Sequence, residues 1–305
     1  MLVISAKSGQ LGNRLLLFAN FIAFAIEKNL KVLNPAFEEY AEFFQSTATN
    51  FLCCYPSIKI SIASKLIRNK YYNFNRYLAE KKLFNTITIA RDKPFNWSNL
   101  EIANQLKPGR INLFQGWLFR DGWFVADTEK LQKHAQEIRA YFTPLEKYQL
   151  NVDKLISKIR SEAEILIGVH IRLGDYQQHQ GGRYFYTIEE YRKVMESAEK
   201  LFPNKKVIFL ICSNVENEKQ PFAFHHYWGN NHIIEDMYSL AQCDYILGPP
   251  SSYTMWASFY GDRPLYMIRD VNKVLQVKDF VHFYEWQGIF HYRDNWSESF
   301  WEWTQ

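Results

Sequence analysis

The opening of this chain alternates in a way that admits few folds. A short apolar run, Leu2 to Ala6, breaks at Ser8-Gly-Gln-Leu-Gly-Asn13 and gives way to Leu15-Leu-Leu-Phe-Ala-Asn-Phe-Ile-Ala-Phe-Ala-Ile26. That second run is too long and too rich in helix formers for a strand. Lys31 to Asn34 then reads as a strand. Strand, glycine loop, helix and strand make a βαβ unit, whose parallel strands put the loop at the carboxyl edge of the sheet, where α/β folds bind ligands.

The alternation returns in the second half. A helix over Val152 to Ala163 leads into Ile165-Leu-Ile-Gly-Val-His-Ile171, which has the length and β-branching of a buried strand. Thr187 to Leu201 is the next helix, with Thr187 as cap and Glu190 three residues on, the capping-box spacing. Lys206 to Cys212 is a strand ending at Ser213-Asn214, Glu235 to Cys243 a helix, Tyr245 to Gly248 a strand, and Ser251 to Tyr260 a helix entered through Pro249-Pro250. Between the halves, Ile111 to Phe114 reads as a strand ending at Gln115-Gly-Trp117, and Asp127 to Phe142 as a helix stopped by Thr143-Pro144. Residues 37–110 show no clean period. At 305 residues the chain accommodates two domains. The expectation is an α/β protein with two Rossmann-like lobes facing a central cleft: residues 1–150 an acceptor-side lobe, 151–270 a nucleotide-binding lobe, and 271–305 an aromatic tail packing back on the first lobe.

Composition narrows the function. A formal charge of +4, from 36 basic and 32 acidic residues, is too mild and too evenly spread for a nucleic-acid protein. The aromatic share of 17% exceeds what a core needs, so some rings are expected to line a binding surface. Cys53, Cys54, Cys212 and Cys243 lack metal-ligand spacing, and adjacent Cys53 and Cys54 suit no disulfide framework, which points to a reducing compartment. The first residues lack the pattern of a signal peptide, and no stretch reaches ~18 uninterrupted apolar residues, so a cytoplasmic protein without a transmembrane segment is expected, with room for peripheral membrane contact.

Three segments carry candidate chemistry. At the end of the 165–171 strand, His170 and Arg172 stand two residues apart and so share a face, with Gly174 and Asp175 in the turn that follows. A guanidinium there can hold a diphosphate and stabilise charge on a leaving group; the plainer alternative is an Arg172–Asp175 salt bridge beside a satisfied histidine. In Gly9-Gln-Leu-Gly-Asn-Arg14, Gly12 lets backbone approach a ligand and the helix start offers N–H groups to an anion, with Asn13 and Arg14 facing ligand or solvent; a plain tight turn is the alternative. In Pro249-Pro-Ser-Ser-Tyr-Thr254, Ser251 and Ser252 can cap the following helix, donate to a phosphate, or both. The aromatic residues from Phe280 onward read either as packing or as a platform for sugar rings.

These segments, in this order, resemble the fucosyltransferase superfamily, and within it the bacterial α-1,2-fucosyltransferases. The resemblance rests on Gly9-Gln-Leu-Gly-Asn-Arg-Leu-Leu-Leu-Phe-Ala-Asn20, on Val169-His-Ile-Arg-Leu-Gly-Asp-Tyr176, and on Glu235-Asp-Met237, Cys243 and Ser251-Ser-Tyr-Thr-Met-Trp-Ala257. It runs over most of residues 1–45 and 110–265. It implies a GT-B-like pair of lobes, an inverting transfer without metal or other cofactor, GDP-fucose as donor substrate, and a glycan or lipid-linked oligosaccharide as acceptor. By matching positions, Arg172 would bind the β-phosphate, His170 the nucleoside, Asn13 the reacting sugar or phosphate, and Ser251 and Ser252 the phosphates. Three positions depart from the pattern: Leu173 replaces a second Arg, Ser213-Asn214 stands where acidic residues commonly read the guanine edge, and Pro250 replaces an Asn.

No general base stands out; Asp175, Glu38 and Asp236 are the carboxylates nearest the expected cleft, and a loose step in which the leaving phosphate takes the proton is the alternative. Two other readings stay open: transfer of another nucleotide-linked deoxy sugar, and a carbohydrate-binding relative that has lost catalysis. A nucleotide-dependent oxidoreductase is set aside, because the chain lacks G-x-G-x-x-G after a strand with an acidic residue ~20 positions on.

Overall fold

The computed structural model describes residues 1–62, 64–89, 104–116, 128–215 and 222–285. They fall into two compact units, Met1–Leu145 and Glu146–Gln305.

In the first unit, β1 (Leu2–Ile4), α1 (Leu11–Lys28) and β2 (Val32–Leu33) form the expected βαβ unit, with β1 and β2 parallel. Strands β3 (Cys54–Tyr55), β4 (Asn85–Ile89) and β5 (Asn112–Gly116) complete a sheet of order β3-β2-β1-β5-β4, parallel except at β2–β3. Helix α2 (Lys65–Glu80) lies between β3 and β4 in the chain. Helix α1 is buried along nearly its whole length, and the ring of Phe18 packs edge-on against Phe37, Tyr141 and Phe142. Full burial of such a side chain stabilises by roughly 2–3 kcal/mol, which makes α1 the centre of this lobe's core.

The helix expected over 127–142 is two helices, α3 (Thr128–Lys133) and α4 (Ala135–Tyr141), while Asp127 itself lies outside the described residues. The joint is His134, whose backbone leaves the helical region at φ −109°, ψ 21°. Its Nε2 lies 2.6 Å from Glu27 Oε1 near the end of α1, so the bend goes with a polar contact between helices.

In the second unit, α5 (Glu146–Arg160), β6 (Ile165–Ile171), α6 (Ile188–Glu199), β7 (Val207–Ser213), β8 (His226–Trp228), α7 (Ile233–Leu240), β9 (Tyr245–Gly248), α8 (Ser252–Gly261) and β10 (Leu265–Met267) follow in turn. The sheet runs β10-β9-β6-β7-β8 and is parallel throughout. Strand β6 sits at its middle, and β6, β7 and β9 read as unbroken apolar runs because both faces are covered. The capping box forms as expected: the Thr187 hydroxyl accepts from the Glu190 N–H, and the Glu190 carboxylate accepts from the Thr187 N–H at 2.7 Å. The four cysteines are free and buried. Phe280 packs on Tyr245 and Tyr266, and Phe283 on Phe259, all within this unit. The rest of the aromatic tail, from Trp286 on, lies outside the described residues. Among the described residues no helix is long and apolar enough to cross a membrane.

Candidate active site

Strand order decides where each lobe can bind a ligand. In the second unit the chain leaves β6 toward β7 and β8 on one side, then returns to β9 and β10 on the other. The carboxyl ends of β6 and β9 therefore diverge into a crevice, the switch point at which open α/β sheets take their ligands. The loop after β6 carries Arg172 to Asp175, and the loop after β9 carries Pro249 to Ser252, so two of the three candidate segments meet there. The Tyr176 hydroxyl reaches the Pro250 carbonyl at 3.4 Å and links the two loops.

Arg172 is the first residue beyond β6. Its backbone N–H donates to the Tyr191 hydroxyl at 3.1 Å, and its guanidinium lies over the Tyr176 ring, 5.2 Å from the centroid. Its Nη2 donates to Asp175 Oδ2 at 2.8 Å, so the turn salt bridge is formed. With the Asp175 side chain 52% exposed, the pair is worth little in water, about 0–1 kcal/mol, and an arriving phosphate can displace it. Asn214 does not present its amide to the crevice: Oδ1 accepts from the Leu173 N–H at 2.8 Å and Nδ2 donates to the Leu173 carbonyl at 3.2 Å.

His170 is buried at the end of β6. Burial first, then the charge of Arg172, hold its pKa down to about 3, so the ring is neutral at physiological pH. Its Nδ1 has no hydrogen-bond partner. The ring stacks on Tyr253 of α8, with centroids 4.8 Å apart. It fits because β9 ends in glycine: a Cβ on Gly248 would lie 3.0 Å from both the His170 Cβ and its carbonyl oxygen. Ser251 is the N-cap of α8, its hydroxyl accepting from the Tyr253 N–H at 3.2 Å, while Ser252 opens the helix half-buried. Capping is thus realised, and the first turn of α8 keeps N–H groups suited to an anion.

In the first unit the same logic applies at β1, whose neighbours β2 and β5 put the loop after β1 at that lobe's switch point. Ser5 keeps β1 joined to β5 through two bonds to the Phe114 carbonyl, and the loop then turns at Gly9. Gly9 takes φ +63°, and a Cβ there would collide with the Asn13 side chain. Gly12 is buried and Asn13 half-buried in the first turn of α1. Arg14, expected to face ligand or solvent, is turned inward. Its Nε donates to the Gly9 carbonyl and its Nη1 to the Ala36 carbonyl, with Glu39 2.9 Å away and the Tyr40 ring beneath. A helix-start arginine with backbone carbonyls within reach satisfies them rather than remaining solvated.

The three carboxylates differ. Glu38 is buried and paired with Lys7 at 2.8 Å, and Asp175 is paired with Arg172. Asp236 is buried in α7 with Oδ1 unbonded; burial raises its pKa to about 7, Glu235 adding to the effect while the backbone N–H groups of Asn230, His232 and Asn231 oppose it. Among the described residues no group of three His, Cys, Asp or Glu side chains is placed to hold a metal. Nothing in the local sequence marks Tyr191 and Tyr176 as supports of Arg172. Tyr253 had a signal, its place directly after the serine pair.

The family model of glycosyl transferase family 11 matches residues 119–296, more than half of the chain. Among solved structures, a mutant of Arabidopsis thaliana FUT1 in complex with GDP superposes with a TM-score of 0.55 over 88% of this chain and 71% of that one, at 14% identity. Fucosyltransferase NodZ from Bradyrhizobium superposes at 0.53 over 88% and 94%, again at 14% identity. NodZ α-1,6-fucosyltransferase soaked with GDP-fucose gives 0.51 over 89% and 96%, at 14%. At such identity the likeness is one of fold. No curated protein matches the chain.

Proposed function

The chain belongs to glycosyl transferase family 11, and on that premise we propose that it transfers L-fucose from GDP-fucose to a glycan hydroxyl, with inversion and without a metal. The observation that carries the reading is Arg172 at the switch point of a parallel sheet, beside the Ser251-capped start of α8. A guanidinium and a helix N-terminus are complementary to a diphosphate, and the solved structures of this fold with GDP or GDP-fucose supply the nucleotide.

In this reading Arg172 holds the β-phosphate, with Ser251 and Ser252 donating to the phosphates and neutral His170 facing the nucleoside. Gly12 and Asn13 contact the sugar and phosphate, as the family pattern implies, while Arg14 holds their loop from behind. The acceptor oxygen attacks the anomeric carbon as the bond to the β-phosphate oxygen breaks, and GDP leaves with the electron pair. Arg172 stabilises the charge that builds on that oxygen. Asp175, released when the phosphates take the guanidinium, is the carboxylate available for the acceptor's proton. The acceptor is a glycan or lipid-linked oligosaccharide, met in the cytoplasm.

A second reading, transfer of another nucleotide-linked deoxy sugar, is favoured by Asn214. It stands where acidic residues would read guanine, and its amide is taken by Leu173.

Calorimetric titration of wild type and Arg172→Ala with GDP, UDP and ADP, without added metal, tests the proposal. GDP alone is expected to bind, and the substitution to weaken it by roughly 1.5–3 kcal/mol, as loss of charge-assisted hydrogen bonds does. Binding of UDP, or of none of the three, sinks GDP-fucose as donor.

A further inference from the structure

Helix α2 buries polar as well as apolar side chains and leaves large apolar ones exposed. The face it buries carries Arg68, Tyr72, Asn75 and Ala79, and Arg68 donates to the Thr47 and Ala48 carbonyls. The opposite face leaves Leu66 64%, Ile67 37%, Phe74 58% and Tyr77 52% exposed. At 3.6 residues per turn these four side chains fall within an arc of about 100°. Leu83 and Phe84, just beyond the helix, are 60% and 42% exposed. Single exposed apolar side chains are ordinary, but several sharing one helix face mark an interaction surface.

Its charges identify the partner. Between residues 65 and 84 the only acidic residue is Glu80, which is paired with Arg76. Lys65, Lys70, Lys81 and Lys82 are exposed, and helical spacing puts Lys70 and Lys81 inside the apolar arc itself. Lysine is depleted from the centres of protein interfaces, and a second copy docked on this face would set lysines against lysines. At a bilayer surface the same arrangement is favourable: apolar side chains enter the headgroup and acyl boundary while lysines extend to anionic headgroups. The helix also runs on to an open cavity of about 660 Å³ at the starts of β4 and β5, lined by Lys82, Lys107 and Arg110 with no carboxylate among its lining residues. The charged residues that line it are all basic, as an anionic headgroup requires.

We propose that α2 docks the protein on a membrane surface carrying anionic phospholipids. The inference is independent of which sugar nucleotide is the donor.

Flotation of the full chain with vesicles tests it, comparing phosphatidylcholine alone with phosphatidylcholine containing about one-third phosphatidylglycerol. Wild type is expected to bind the anionic vesicles at least roughly tenfold better than the neutral ones, and to lose most of that binding in about 0.5 M salt. The pairs Leu66→Ser with Phe74→Ser, and Lys70→Glu with Lys81→Glu, should each lower binding by roughly tenfold while melting temperature and GDP binding stay at wild-type values. Failure of wild type to float, or flotation indifferent to both pairs, overturns the proposal. So does a concentration-dependent dimer abolished by Phe74→Ser, which would give the face to a second copy.

Discussion

The Tyr253 ring lies on the His170 imidazole, centroids 4.8 Å apart and planes 30° from parallel. One ring comes from the end of the central strand, the other from the first turn of α8. The contact therefore fixes the helix start against the strand end that Arg172 follows, and it excludes water from a histidine whose Nδ1 has no partner.

Tyr253→Ala is accordingly expected to lower stability by roughly 2–4 kcal/mol and to weaken GDP binding in the remaining folded protein. Tyr253→Phe keeps the ring and loses the hydroxyl's hydrogen bonds, among them the 2.8 Å bond to the Ile233 carbonyl, for a cost of about 1 kcal/mol with GDP affinity retained. Urea denaturation and calorimetry of the two variants separate these effects. Equal losses of affinity in both would show that the hydroxyl, not the stacked ring, supports the site.

Two buried groups give opposite slopes of stability against pH. The folded state keeps His170 unprotonated down to about 3, whereas the unfolded chain takes up a proton near the ordinary value of 6.5, so stability is lost as pH falls through that window. Asp236 behaves in reverse. Burial keeps it protonated up to about 7, the unfolded chain releases the proton near the ordinary 3.8, and stability is lost as pH rises between them. His170→Gln should remove the acid-side loss and Asp236→Asn the loss between about pH 4 and 7, each on the order of 4–5 kcal/mol at its limit. Denaturation midpoints collected from pH 4 to 8 would reveal it; profiles parallel to wild type would show that neither group carries the linkage.

Arg14 is predicted to matter more for folding than for the donor. Arg14→Ala leaves the Gly9 and Ala36 carbonyls without a donor and should cost roughly 2–3 kcal/mol. Arg14→Lys should not restore it, since an ammonium on a flexible stem cannot reproduce the planar fork. GDP affinity of the folded variants should stay within about threefold of wild type, an energy difference under 1 kcal/mol. A larger loss of affinity than of stability would put Arg14 in contact with the nucleotide.

The sequence was most readable where local signals and burial agree. Strand β9 and the Thr187–Glu190 box appear where spacing put them, and β6 spans the expected seven residues, because strands buried on both faces are written as continuous apolar runs. Helix α2 is marked less plainly: its apolar residues are divided between the faces, Leu66 and Phe74 outside but Tyr72 and Ala79 inside, and Arg68 and Asn75 are buried with them, so periodicity offers no single inward face. Strands β8 and β10 are three residues each at the sheet edges, too short for any period. At the site, glycine and serine spacing located the loops, yet the inward turn of Arg14 and the engagement of Asn214 depend on carbonyls and peptides remote in the chain. Ala36 and Leu173 announce nothing of the kind locally.

The clasp of Asn214 on Leu173 has a consequence for binding. By taking both the N–H and the carbonyl of that peptide, the amide imitates one more rung of the β6–β7 ladder beyond the point where the strands part, while Tyr191 secures the preceding N–H. The backbone beneath Arg172 is thus set in place during folding. On the proposed reading, a donor held by Arg172 need not also order the backbone beneath it, and that part of the association energy is not lost to ordering.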